Sequence, residues 1–350
     1  MKKALAIILA LALFTVCLAG CGDKDTGGNT GGDTNSAQAP AVTFGGKNTL
    51  NDKFMIAWIP MSTAGQINQV VQACADEIML SYPDVTINFF DPGFDPNTEA
   101  SLINDCVTQG YDAIILECAD STAVGPSILE AEAAGVPVIT VNLGTDVLHS
   151  LHVKCDSYSG GWVSAEALSK KMGGTGDVLL LDVPAWQTAA TTFCKGFEDY
   201  IAQYSPGMKV LEYYNLDGNA QEDAYNVMRD MLIKYDKIDA VYGPDDNFAL
   251  GIVQAINEAG RQNEGIIVWG TDWQPGGIEA LLEGRIDGSS WSDRFSAMYT
   301  AFSTAMFFAQ TGVTSVKLGL TETPQVTVNF TAVTPDNALT ILPFTRYPGY

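Results

Sequence analysis

Histidine is almost missing from this 350-residue chain, which has two, His149 and His152. Basic residues are also few: 18 Lys and Arg face 41 Asp and Glu, for a formal net charge of −23. There is no Cys-x-x-Cys pair and no Gly-x-Ser-x-Gly elbow. Each shortage excludes something. A chain this acidic is a poor partner for phosphate backbones, whose binding rests on Lys and Arg, so nucleic acid is not an expected partner. Two adjacent histidines without a third ligand at matching spacing do not make a zinc site. They also leave little room for a serine or cysteine triad. Neither a metal, a cofactor nor catalysis is expected. Of the seven cysteines, Cys74, Cys106, Cys118, Cys155 and Cys194 fall largely within apolar helix or strand patterns. They read as small buried hydrophobes, with one disulfide left open.

Long hydrophobic runs are scarce as well. Ala4 to Leu18 is apolar but falls short of the roughly 20 residues needed to span a bilayer. Lys2 and Lys3 precede it, and the small residues Ala19 and Gly20 follow, ending at Cys21. That is the order of a secretory signal. With a cysteine at the cut, it resembles a bacterial lipoprotein signal. The resemblance implies a signal peptide over 1–20 and acylation of Cys21, as by palmitate. The body would then be held at the outer face of the cell membrane by its lipid alone. From Gly22 to Asn48 the chain is built from Gly, Thr, Asn, Asp, Ser, Ala and Gln with little else. It cannot bury enough apolar surface to offset its ordering entropy, so 21–52 reads as a lipidated flexible linker.

From Lys53 onward one rhythm repeats. Phe54–Ile59, Val85–Phe90, Ala113–Leu116 and Val136–Val141 are short apolar runs, separated by helical patterns over 66–80, 98–109 and 123–134. A second set follows. Strand-like runs at 151–153, 178–181, 209–214, 240–242 and 266–269 alternate with helical patterns over 161–172, 189–204, 220–235 and 248–259. Continuous apolar strands between helices of about 10–15 residues indicate βαβ units around parallel sheets. Two such sets imply an α/β protein with two doubly wound lobes. Gly173-Gly174-Thr175-Gly176 lies after a helix and before a strand, the reverse of a phosphate loop, and reads as a helix C-cap. Asp91 to Asn97 has two prolines and a misplaced glycine for a calcium loop, and reads as a turn.

In doubly wound folds ligands sit beyond the carboxyl ends of the strands. That rim is polar and aromatic. It carries Gly65, Gln66 and Asn68 after the first strand, then Glu117 and Asp120 after the third and Asn142 after the fourth. The second set adds Trp186, Asp245, Asp272 and Trp273. Carboxylates and amides pair with adjacent hydroxyls, and indoles pack on C–H faces, which suits a sugar-like ligand. The alternative for Asp245 and Asn247 is that they cap the following helix.

These segments resemble the solute-binding proteins of bacterial ABC importers, of the ribose- and galactose-binding type with the periplasmic binding protein type I fold. The resemblance is carried by Ala113–Leu116 with Asp120–Val124, and by Ala134-Gly135-Val136-Pro137-Val138. Asp156 with Gly160-Gly161, Asp239–Tyr242 with Ala249–Gly251, and Gly270-Thr271-Asp272 complete it. It implies an N-terminal lobe of 53–156 and 293–324, a C-terminal lobe of 157–292 and 325–350, and a three-segment hinge between them. The family's ligand positions fall on Ile67, Asn68, Asn142, Leu143, Phe193 and Asp245, where this chain departs from the usual residues. Asp272 keeps the family's residue, and Ser292 stands near the hinge. Asn219, Trp186, Trp273 and Trp291 are further ligand candidates.

The resemblance implies a monomeric receptor that captures a small polar solute, a sugar or sugar derivative, and delivers it to the permease and ATPase subunits of an importer. Two alternatives remain at this point. One is a receptor for a nucleoside or another non-sugar solute; the other is a sensory protein serving a chemoreceptor or sensor kinase.

Overall fold

The computed structural model describes residues 53–65, 67–183, 188–216 and 221–345. Cys21, Gln66, Trp186 and Asn219 lie outside the described residues. The first apolar run forms β1 (Phe54–Ile59), and it is followed by α1 (Ile67–Ser81), β2 (Val85–Phe89) and α2 (Pro96–Gln109). β3 (Ala113–Leu116), α3 (Gly125–Ala134), β4 (Val138–Val141) and β5 (Leu151–Cys155) complete the first set. β1, β3 and β4 are buried on both faces apart from Met55, which is why they read as unbroken apolar runs rather than alternating ones.

The second set begins with α4 (Ser157–Met172), β6 (Thr175–Asp182), α5 (Thr188–Tyr204) and β7 (Gly207–Asn215). It continues through α6 (Gln221–Lys234), β8 (Ala240–Tyr242), α7 (Asp246–Glu258) and β9 (Ile267–Thr271). Beyond the segments read from the sequence come α8 (Pro275–Leu282), β10 (Gly288–Ser292), α9 (Arg294–Thr311), β11 (Gln325–Val328), β12 (Phe330–Val333) and the short α10 (Ala338–Ile341).

Two six-stranded sheets result. The first runs β2-β1-β3-β4-β5-β11 and is parallel throughout. The second runs β7-β6-β8-β9-β10-β12, with β12 antiparallel to β10 at the edge. In both sheets the order reverses beside the first strand of the set, leaving a switch point at the carboxyl ends.

The chain passes between the sheets three times: at Asp156, at Asp293 and at Asn329. One sequence expectation is corrected here. The second lobe was expected to resume at 325, but β11 pairs with β5 in the first sheet, from Gln325 beside His152 to Val328 beside Cys155. The third crossing therefore falls four residues later. Backbone bonds lock the first and third crossings together, since Asp156 N–H donates to Val328 O at 2.9 Å.

α9 returns from the second crossing and packs on the first sheet and α1. Met298, Ala301, Phe302 and Ala305 join Phe54, Ile56 and Trp58 in one buried cluster. That cluster continues through Cys155 and Phe330 to Val178, Leu180 and Tyr242, so apolar packing is unbroken from one sheet to the other. Each fully buried aliphatic or aromatic side chain contributes about 1.5–3 kcal/mol.

α4 and α5 meet backbone to backbone. A Cβ on Gly161 would stand 1.8 Å from Phe193 O, and one on Gly196 2.1 Å from Tyr158 O. Nothing larger than glycine fits at either position.

Candidate functional site

Caps and turns position the strand ends. Asp120 accepts from Thr122 N–H and Ala123 N–H at 2.9 and 2.8 Å, which shapes the loop before α3. Asp245 is the N-cap of α7 and accepts from Asn247 N–H at 2.6 Å. The capping alternative therefore holds for Asp245, yet its other oxygen accepts from Gln274 Nε2 at 2.5 Å. The neighbouring Asp246 is structural: it holds Ser289 Oγ–H at 2.7 Å and Gln274 N–H at 2.7 Å.

The first residues past β4 and β9 adopt left-handed backbone, Asn142 at φ 59° and Asp272 at φ 82°. Both residue types tolerate this region. At Asn142 the consequence is visible: its Nδ2 donates to Glu117 Oε1 at 2.6 Å. Arg294, the first residue of α9, places its guanidinium 3.7 Å from the same oxygen. Asp272 from the second lobe stands within electrostatic reach of both Arg294 and Glu117. Burial raises the Asp272 carboxyl above its ordinary value, Arg294 opposes that rise, and Glu117 adds to it. Burial and then Asp272 push the Asp245 carboxyl up to about 7. Glu117 after β3 and Asp272 after β9 thus approach one guanidinium from the two lobes, and Asp245 beyond β8 lies within electrostatic reach of Asp272.

Cys155 sits beside this group, with Arg294, Glu117, Ser292 and Asp272 as its electrostatic neighbours. It also borders a cavity of about 460 Å³ lined in part by Ser121, Asn142, Thr192, Lys154 and His152. Beneath that cavity, hydrogen bonds set the histidine tautomers. His149 Nδ1–H donates to Val147 O at 2.8 Å, so its Nε2 accepts from Thr140 Oγ–H at 2.7 Å. The Thr140 oxygen then accepts from His152 Nδ1–H at 2.8 Å. Burial holds both imidazoles below their usual pKa, His152 down to about 4. Both are neutral structural groups at physiological pH.

The other candidates divide. Gly65 and Asn68 belong to the loop after β1, where Asn68 Nδ2 donates to Ser62 O at 2.9 Å. Trp291 is partly buried at the end of β10. Ser292 is 1% exposed, and its hydroxyl has no nitrogen or oxygen partner among the described residues. Trp273 is fully buried in the apolar cluster of the second lobe. Phe193 is committed to packing: its ring lies over Gly160 and meets Phe330 edge-on at 4.9 Å. Sequence reasoning missed Arg294 and Gln274 as members of the group. Arg294 follows a crossing that has no local pattern of its own, while Gln274 lies one residue past the rim segment Thr271-Asp272-Trp273. Among the described residues no three His, Cys, Asp or Glu side chains are grouped to hold a metal ion, and no helix is long and apolar enough to cross a membrane.

Comparison with known proteins agrees with this architecture. Residues 56–312 match the family model of the periplasmic binding protein domain. The ribose import binding protein of Salmonella typhimurium is 26% identical over 289 residues, covering 82% of this chain and 85% of the relative. A xylitol-binding protein of Mycolicibacterium smegmatis is 28% identical over 198 residues, 56% of each chain. Among solved structures, an ABC transporter solute binding protein of Bacillus halodurans with bound myo-inositol superposes with a TM-score of 0.73. It is 22% identical and covers 84% of this chain and 98% of its own, a likeness of fold.

Proposed function

The chain belongs to the periplasmic binding protein family, and from that premise we propose that it is an extracytoplasmic receptor that captures a small carbohydrate between its lobes and delivers it to an ABC importer. The observation that carries this reading is the convergence at the hinge. Glu117 of the first lobe is bonded to Asn142 and lies 3.7 Å from Arg294, while Asp272 of the second lobe stands within electrostatic reach of Arg294 and Glu117, with Asp245 bonded to Gln274 close by. Paired acceptors and amides of this kind fit the adjacent hydroxyls of a sugar. The relatives named for ribose and xylitol support the same class.

Three short crossings allow the lobes to close as rigid bodies. A ligand that touches both lobes binds the closed form better than the open one and shifts the population towards it. The receptor needs no chemistry for this task. We further propose that Cys21 carries the lipid, supported by Leu18-Ala19-Gly20-Cys21 behind the apolar run. An acylated Cys21 would keep the receptor near its permease.

Thermal-shift screening against sugars, polyols and nucleosides tests the ligand class, because a ligand that binds the folded state raises Tm. Sugars or polyols should shift it; a shift with nucleosides alone would overturn the carbohydrate reading. Asp272→Asn keeps the left-handed backbone and removes the charge. It should abolish the shift while leaving the Tm of the free protein close to wild type. Metabolic labelling with an alkyne palmitate should mark the wild-type chain and not Cys21→Ser.

A further inference from the structure

The cavity of about 460 Å³ beside the hinge is not the space between the charged groups. None of Glu117, Asp245, Asp272, Gln274 and Arg294 lines it. Asn142 belongs to both, since it borders the cavity and its Nδ2 donates to Glu117. The walls come from both lobes. Ser121 and His152 stand on the first, with Gln325 at the start of β11; Ser157, which opens α4, and Thr192 of α5 stand on the second. A molecule held there is gripped as the lobes close.

Two polar groups in these walls have capacity left for a ligand. Ser157 is 9% exposed, and no described residue hydrogen-bonds to its hydroxyl. Water can supply that bond while the lobes are apart, but a ligand must supply it once closure excludes water. His152 commits its Nδ1–H to Thr140, which leaves Nε2 as an acceptor. The volume lies within the range of about 300–1,000 Å³ usual for ligand pockets. No Phe, Tyr or Trp is among the described residues that line it. It therefore offers hydroxyls and amides, but no aromatic face on which a nucleobase could stack.

Resting on the reading of the hinge group as a sugar site, we propose that the cleft continues past Asn142 into this cavity and that the ligand is a disaccharide. One ring lies against Asp272 and Glu117. The second lies in the cavity and bonds Ser157, His152 and Gln325. Asn142, common to both spaces, spans the link between the rings. A monosaccharide in either space leaves the polar groups of the other without a sugar partner.

The test is isothermal titration of the purified receptor with matched panels: glucose against maltose, cellobiose and trehalose, galactose against lactose and melibiose, and xylose against xylobiose. At least one disaccharide should bind about tenfold or more tightly than each of its constituent sugars. Two variants locate the second ring. Ser121→Phe puts bulk into the cavity from a half-buried loop position, and the bond from Thr145 Oγ–H to the Ser121 carbonyl does not need the serine side chain. It should bring the disaccharide down to the affinity of the monosaccharide or below. Ser157→Ala removes only the hydroxyl and should weaken the disaccharide by about three- to tenfold, and the monosaccharide by less than about twofold. If a monosaccharide binds as well as every disaccharide that contains it, or if neither variant narrows the gap, the inference fails while the sugar-receptor reading stands. If no member of any panel binds, both fail together.

Discussion

Replacing Glu99 by Gln isolates a single buried proton. Glu99 lies in the first turn of α2 and is completely buried. Its Oε2 accepts Ala119 N–H at 2.9 Å, while Oε1 has no partner among the described residues. Burial, opposed by that hydrogen bond and reinforced by Glu117 and Asp120, pushes its pKa from 4.5 up to about 8. At pH 7 the folded protein therefore holds a neutral acid, whereas the unfolded chain carries a carboxylate. A folded pKa above the unfolded one contributes stability that is fully present below pH 4.5 and is lost as pH rises towards 8. A shift of that size corresponds to about 3–5 kcal/mol across the window, of which roughly 2–3 is lost between pH 5 and 7. Glu99→Gln preserves the shape and the acceptor for Ala119 but cannot ionise. Scanning calorimetry of both ligand-free proteins at pH 5, 6, 7 and 8 should show the variant gaining on wild type by ~5–10 °C from pH 5 to 8. A constant offset would report only the buried amide. A Tm difference that stays flat within a degree across this range would refute the argument.

Other outcomes follow from neighbouring parts of the structure. Gly161→Ala should force α4 and α5 apart at the 1.8 Å approach to Phe193 O, lowering stability in urea titration by about 3 kcal/mol or more; an unchanged midpoint would contradict the close packing. Burial pushes the thiols of Cys74, Cys106 and Cys194 up to about 12, and all five described cysteines are buried and free. A thiol reagent at pH 8 should leave these five unreacted in the folded protein and label them after unfolding.

The fold was legible where local chemistry repeats. β1, β3 and β8 fall where the apolar runs put them, and the helices end at Gly110, Gly135 and Gly173, each in left-handed backbone. The five cysteines are buried, as their apolar settings implied, and the pairing that the sequence left open is absent among the described residues. The lobe exchange after residue 292 was less legible. β11 is short and largely exposed, and nothing in four residues says which of two sheets it will join. Only its pairing with β5 settles that.

Sites follow the same division. Asp245, Asn142 and Asp272 could be singled out because each directly follows, or lies close beyond, a strand in a doubly wound pattern, where rim positions are dictated by topology. Phe193 could not be judged from its place in a motif, since whether a helix residue faces a cleft or a neighbouring helix depends on the rotation of that helix. Here the glycine contact with α4 turns its ring into the core.

By itself the amino-acid sequence determined the α/β class, the two sets of βαβ units, the acidic character and the polar rim, because strand periodicity, capping and charge are properties of short segments. Tertiary structure alone decided that Arg294 meets Glu117, that Asp272 faces both, and that Ser292 is buried without a nitrogen or oxygen partner among the described residues. Those groups lie on segments from 117 to 294, and electrostatic balance depends on distance in space. Charges that are unremarkable along the chain become neighbours only when three crossings bring two sheets to one hinge.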